Sequence, residues 1–199
     1  RRMNIKNKIS KKLFHYQWQL MFNLSDNNSK QYQNYKKIIP PNNKFWADPF
    51  VVFKNKLYYV FFEEFEYIKN KGHISFLTIN EDGSYSEVEK IIEKDYHLSY
   101  PNIFNFNDKY YMIPESHDNR TIEIYECIEF PNKWEFCKNI FKNINATDST
   151  LFYKNEKWWL FTTITNENNS HQSDLRLFYS KNPLSNDWIA HPKNPIVSG

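Results

Sequence analysis

Three stretches of this chain repeat one pattern at a spacing near 50 residues. From Phe45 onward the sequence is a string of short Phe/Tyr/Ile/Val/Trp runs separated by Asn, Asp, Lys and Pro, and helical periodicity is scarce. Together these observations predict an all-β fold. Within that class they predict a β-propeller present only in part, about three blades plus an N-terminal segment.

The N-terminal segment, residues 1–44, holds one strand candidate, Tyr16 to Leu24, which would close a ring by completing the last blade. The chain begins with Arg rather than Met, as a fragment would. Its basic start, Arg1 to Lys8, has the charge of a signal n-region, but Leu13 to Phe22 is interrupted by polar residues and is not a signal core. Blade one, about 45–97, opens with Ala47 to Phe53, turns at Lys54-Asn55-Lys56 and returns through Leu57 to Glu64. His73 to Ile79, a turn at Asp82-Gly83, and Tyr85 to Ile92 complete it. Blade two, about 98–145, runs Ser99 to Phe104, a turn at Asn107-Asp108, Lys109 to Glu115, Thr121 to Cys127 and Trp134 to Phe141. Blade three, about 146–199, runs Thr147 to Tyr153, a turn at Lys154-Asn155-Glu156, Lys157 to Thr163, Asp174 to Tyr179 and Trp188-Ile189. Each second strand opens on an aromatic doublet, Tyr58-Tyr59, Tyr110-Tyr111 and Trp158-Trp159, at steps of 52 and 48 residues. Side chains alternate faces along a strand, so at least one tryptophan of the last doublet belongs to the core. Small propellers have about four or five blades, so the chain reads as the N-terminal part of a larger ring. The alternative is an open stack of three sheets with exposed edges.

Composition narrows the function classes. Among 199 residues, 17 Phe, 14 Tyr and 6 Trp exclude a disordered chain. The only glycines are Gly72, Gly83 and Gly199, too scattered for a phosphate-cradling loop. A net charge of +3, evenly spread, does not predict nucleic-acid binding, and Lys11-Lys12 and Lys36-Lys37 read as solvated surface. No apolar run is long enough for a membrane span. Cys127 and Cys137 have no partners at metal-ligand spacing and read as reduced thiols of a cytoplasmic protein. No cofactor or metal is expected.

In a propeller the first strands line the central channel, and their early residues meet at one mouth. That places Asp48, Tyr100 to Asn102, and Asp148 together, unless the two aspartates merely cap their strand starts. Paired carboxyls across a cleft suit glycoside hydrolysis, one protonated and one ionised. Glu63 and Glu115 end equivalent second strands, and burial of Glu115 would suit it to an acid role. Asp48, Glu115 and Asp148 are therefore the catalytic candidates. Trp46, Glu63, Tyr100, Asn102 and His117 are the substrate-binding ones, with Trp46, Tyr100, Trp158 and Trp159 as possible sugar-stacking surfaces. Glu64 and Glu66 read as solvated. His73, His97, His117 and His171 fall in loops or at strand edges, no pair at metal-ligand spacing.

The motifs Trp46-Ala47-Asp48-Pro49-Phe50, Phe62-Glu63-Glu64, Gly72-His73-Ile74-Ser75, Leu98-Ser99-Tyr100-Pro101, Met112-Ile113-Pro114-Glu115-Ser116 and Leu177-Phe178-Tyr179 carry a family resemblance. From about Trp18 to Asn194 the chain resembles the N-terminal domain of glucosamine inositolphosphorylceramide transferases and their bacterial relatives. The resemblance implies a five-bladed propeller of the superfamily that holds arabinanases and β-xylosidases. It also implies a carbohydrate or sugar-containing substrate, a glycan or a sugar nucleotide, and an attached or partner transferase domain where transfer occurs. Those hydrolases are similar in having Asp-Pro on blade one, Pro-Asp on blade two and Asp on blade three. Here Pro101 is followed by Asn102, so the carboxylate that tunes their acid is replaced, and the acid itself usually comes from a later blade. Three readings stand: a glycan-recognising domain of a glycan-assembly enzyme, a glycosidase with Asp48 as base and Glu115 as acid, and a structural scaffold.

Overall fold

A computed structural model describes residues 16–25, 32–166 and 169–198. The basic start of the chain with Lys11-Lys12, and the side chain of His171, lie outside the described residues.

Two short strands, β1 (Leu20–Phe22) and β2 (Lys36–Ile38), pair with each other antiparallel. Blade one is a sheet of β3 (Lys44–Lys54), β4 (Leu57–Glu66), β5 (Lys71–Asn80) and β6 (Glu89–Ile92), in that order. Blade two is β7 (Ser99–Phe106), β8 (Lys109–Ser116), β9 (Thr121–Glu129) and β10 (Lys133–Lys142). Blade three is β11 (Ala146–Lys154), β12 (Lys157–Asn166), β13 (Asn169–Ser180) and β14 (Ile189–Ala190), with β15 (Val197–Ser198) also paired to β13. The inner strands β3, β7 and β11 lie side by side, and the three sheets do not close a ring. The fold is all-β, an incomplete propeller.

The repeat is built by turn chemistry. The β3–β4, β7–β8 and β11–β12 hairpins turn at Asn55-Lys56, Asn107-Asp108 and Asn155-Glu156, and all six residues have φ between 51° and 62°. Positive φ at both central residues is the signature of the type I′ hairpin turn, whose twist matches that of the strands. Asn tolerates the left-handed region best after glycine, which explains how a chain so poor in glycine makes these turns.

The aromatic doublets straddle their sheets, as a period of two demands. Tyr58 packs with β1 and β2 outside blade one, and Tyr59 packs between blades one and two. Tyr110 faces that same interface from blade two, while Tyr111 turns toward blade three. Trp158 is buried between blades two and three against Phe104, and Trp159 lies on the far face beside Tyr179. Each sheet thus supplies apolar side chains to both neighbours, and the cores between blades fix the inner strands around a common axis.

The strand expected over Tyr16 to Leu24 is present as β1, paired with β2; the last blade it was expected to complete is not among the described residues. Leu20 and Ile38 bury against Trp46, Val60, Phe62, Leu77 and Ile79, so β1 and β2 cover the outer apolar face of blade one. Burying each such side chain contributes about 1.5–3 kcal/mol, which holds β1 and β2 on that face.

Candidate functional site

Each inner strand carries the same irregularity near its start. The register slips by one residue between Ala47 and Phe50, between Ser99 and Asn102, and between Thr147 and Thr150. Within each bulge one residue has positive φ: Asp48 at 52°, Tyr100 at 44° and Asp148 at 52°. A non-glycine residue held there costs on the order of 1–3 kcal/mol, and a bulky Tyr is a true outlier. The same strain at three equivalent positions is a built device that turns residues 48, 100 and 148 toward one mouth.

The second strands bring two more acids. Glu63 pairs across from Ala47, and Glu115 from Ser99. Asp48, Glu63, Glu115 and Asp148 lie close enough for their charges to act on one another. Glu63 is only 6% exposed. Burial, then the charges of Asp48 and Glu115, push its carboxyl up to about 8. Glu115 rises to about 7, chiefly through burial, although the Asp148 backbone N–H donates to its Oε2 at 3.1 Å. Asp48 is also raised by burial and by Asp148, opposed by a hydrogen bond from the Tyr100 backbone N–H. Around neutral pH the mouth therefore holds protonated and ionised carboxyls side by side.

His97 completes the group, and sequence reasoning did not place it there. The Gly72 N–H donates to its Nδ1 at 2.9 Å, so the hydrogen of the neutral ring sits on Nε2, 3.4 Å from Glu63 Oε1. Burial lowers the His97 pKa, which favours that neutral ring. Gly72 is required for the approach, because a Cβ there would stand 2.6 Å from Leu98 O and 2.8 Å from both Glu63 Oε1 and His97 Cε1. The isolated Gly72 in a strand pattern was the available signal.

Other expected residues fall elsewhere. Trp46 is buried, and its Nε1 donates to Glu64 Oε2 at 2.8 Å, so it cannot stack on a sugar. Trp18 is 66% exposed and lines a cavity of about 500 Å³ with Trp46, Asp48 and Glu63. Asn102 is buried, and its Oδ1 accepts from the Leu151 N–H at 3.0 Å, tying blade two to blade three. The bulge makes Tyr100, not Asn102, the structural counterpart of Asp48 and Asp148. Tyr100 is half-buried, its ring edge-on to Phe50 at 5.0 Å and its hydroxyl 2.8 Å from Thr150 Oγ1. His117 is half-buried, with its Nδ1 unpartnered. The Trp158 ring is buried and Trp159 faces away against Tyr179.

Glu64 is not solvated as expected. It is 4% exposed and sits opposite His73 across β4 and β5, on the other face of the sheet from Glu63. His73 lies within β5 and is 1% exposed. A hairpin makes neighbours of residues nine apart, which is why linear spacing hid this pair. Cys127 and Cys137 are both free thiols.

The family model of the N-terminal region of glucosamine inositolphosphorylceramide transferase 1 matches residues 34–199. Glucosamine inositolphosphorylceramide transferase 1 of Arabidopsis thaliana is 32% identical over 161 residues, covering 80% of this chain. The chain spans about a fifth of that relative, 21% of its length. Among solved structures, Zg3597, a family 117 glycoside hydrolase of Zobellia galactanivorans, superposes with a TM-score of 0.63 at 16% identity, covering 78% of this chain and 58% of the other. A xylan β-1,4-xylosidase from Bacillus halodurans C-125 superposes with a TM-score of 0.58 at 15% identity, covering 85% of this chain and 37% of the other. At such identities these likenesses concern the fold alone.

Proposed function

The chain belongs to the family of the glucosamine inositolphosphorylceramide transferase 1 N-terminal region, and from that premise we propose that its propeller mouth binds the neutral sugar part of a substrate for a glycan-assembling transferase. The observation that carries this reading is the meeting of Asp48, Glu63, Glu115 and Asp148 at one mouth, two of them pushed up to about 8 and about 7. A protonated carboxyl donates a hydrogen bond and an ionised one accepts. A sugar hydroxyl does both, so the array matches vicinal hydroxyls. The exposed Trp18 beside the acids offers the apolar face of a sugar ring a flat surface. A sugar nucleotide fits less well, because its diphosphate would meet carboxylates and, among the described residues, the basic group acting on Asp48 is His97, whose neutral ring burial favours. In this reading the transfer chemistry lies in other parts of the longer relatives.

The test is calorimetric titration of a panel of neutral oligosaccharides into the chain, with Asp48→Ala and Glu115→Ala as controls. Binding that weakens at least tenfold in both variants supports the reading, and unchanged binding overturns it.

A second reading, glycoside hydrolysis, is favoured by Glu115 alone. A carboxyl held at about 7 suits a general acid, with Asp48 as base. It requires turnover of aryl glycosides with a bell-shaped pH–rate profile that Glu115→Gln abolishes.

A further inference from the structure

On the face of blade one turned away from the mouth lies a second polar group that the proposed function does not use. His73 Nε2 is 3.0 Å from Glu64 Oε1. Glu64 also accepts from Lys44 Nζ at 2.7 Å and from Trp46 Nε1 at 2.8 Å. Burial alone would raise its pKa, but the bonds from His73, Lys44 and Trp46 bring it down to about 2. A carboxylate anchored in this way accepts from Nε2 and fixes the imidazole, whose neutral form presents a lone pair at Nδ1. That nitrogen is buried and has no hydrogen-bond partner. Leaving such a group unsatisfied costs about 1–3 kcal/mol. The atom facing it is Glu66 Oε1, 3.8 Å away. With the ring neutral, two acceptors oppose each other across a gap too long for a hydrogen bond.

We propose that this gap is a binding site for a divalent transition metal of the zinc class, held by His73 Nδ1 and Glu66. Zinc stands about 2.0–2.1 Å from an imidazole nitrogen and about 2.0–2.2 Å from a carboxylate oxygen, so it bridges this gap at a bent angle. Glu64 supplies the carboxylate that commonly orients a ligating histidine through its other ring nitrogen. One ligand atom from each of Glu64, Glu66 and His73 lies within 4.8 Å of the others. The Glu66 side chain is 17% exposed, which opens the site to water for the remaining positions. Two lysines compete for Glu66, Lys69 at 3.1 Å and Lys90 at 3.6 Å. Each also pairs with Glu93, at 3.1 and 2.8 Å, so each has a partner to keep when the metal enters.

The test is titration of Zn²⁺ into the chelator-stripped chain near pH 7, in competition with a chromophoric chelator. Substitution of buried His73 can unfold the protein, so Glu66→Gln is the diagnostic variant. It also leaves the mouth acids and His97 in place, so any zinc they hold cancels in the comparison. One equivalent in the wild type that weakens at least tenfold in Glu66→Gln supports the site, as does tighter binding in Lys90→Met. The His73 Nδ1 resonance should move on zinc addition. Equal uptake by wild type and Glu66→Gln overturns the proposal, as does a hydrogen found on Nδ1 in the metal-free protein.

Discussion

Replacing Glu115 by Gln is expected to stabilise the protein in mild alkali and not in acid. Burial, then the charges of Asp148 and Asp48, lift the Glu115 carboxyl from its ordinary 4.5 to about 7. Between those values the unfolded chain loses its proton first, so the folded state binds more protons and stability falls as pH rises. Below about 4.5 both states are protonated and nothing is lost; above about 7 the whole loss is in place. Each pH unit of displacement corresponds to about 1.4 kcal/mol, or roughly 3 kcal/mol in all. The carboxyl keeps some contact with solvent, which leaves about 1–2 kcal/mol. Gln has the shape of the protonated acid, never ionises, and keeps an oxygen for the Asp148 N–H, now 3.1 Å from Glu115 Oε2. For a chain of this size 1–2 kcal/mol moves the melting midpoint by about 2–8 °C. Thermal melts of both proteins at pH 5 and pH 8.5 decide the matter. The variant's advantage should be small at pH 5 and reach its full size at pH 8.5. An equal offset at both pH values would refute the argument, because a loss of packing does not depend on pH.

Gly72→Ala should destabilise by roughly 1–3 kcal/mol through overpacking, because its Cβ meets the Leu98 carbonyl at 2.6 Å. Thermal melts and the His97 ring resonances check this together, and an unchanged midpoint would refute it. Trp18→Ala should weaken neutral-glycan binding about tenfold, or about 1.4 kcal/mol, without moving the melting midpoint. Asn102→Ala should do the reverse: it strands the buried Leu151 N–H and costs about 1–3 kcal/mol, while calorimetric glycan affinity stays constant. Trp46→Phe should lower the melting midpoint as well, since it removes a donor from the buried Glu64.

The fold was legible because its repeat is written in local chemistry. Steps of 52 and 48 residues between aromatic doublets reappear in the Asn-led turns and in the bulges at Asp48, Tyr100 and Asp148. Strand alternation then decides which ring of each doublet faces which neighbour. The site was legible in its acids, which sit at equivalent places in that repeat. Its partners, and the second polar group on the far face, were hidden for four physical reasons. The bulge shared by all three inner strands sets Tyr100 at the place of Asp48 and Asp148 and leaves Asn102, like Phe50 and Thr150, past it. The approach of His97 to Glu63 runs through a backbone contact at Gly72, which leaves no side-chain pattern. The Glu64–His73 pair exists only across a hairpin, and the exposure of Trp18 follows from β1 folding onto blade one, a packing choice that no local pattern encodes.

The most direct test of the account is to map where a neutral oligosaccharide touches the chain by NMR chemical-shift perturbation at neutral pH. The account predicts that the shifts cluster at Trp18, Asp48, Gly72, His97, Tyr100 and Asp148. Shifts confined to the outer faces of the blades, or none across a broad panel of neutral sugars, would contradict it.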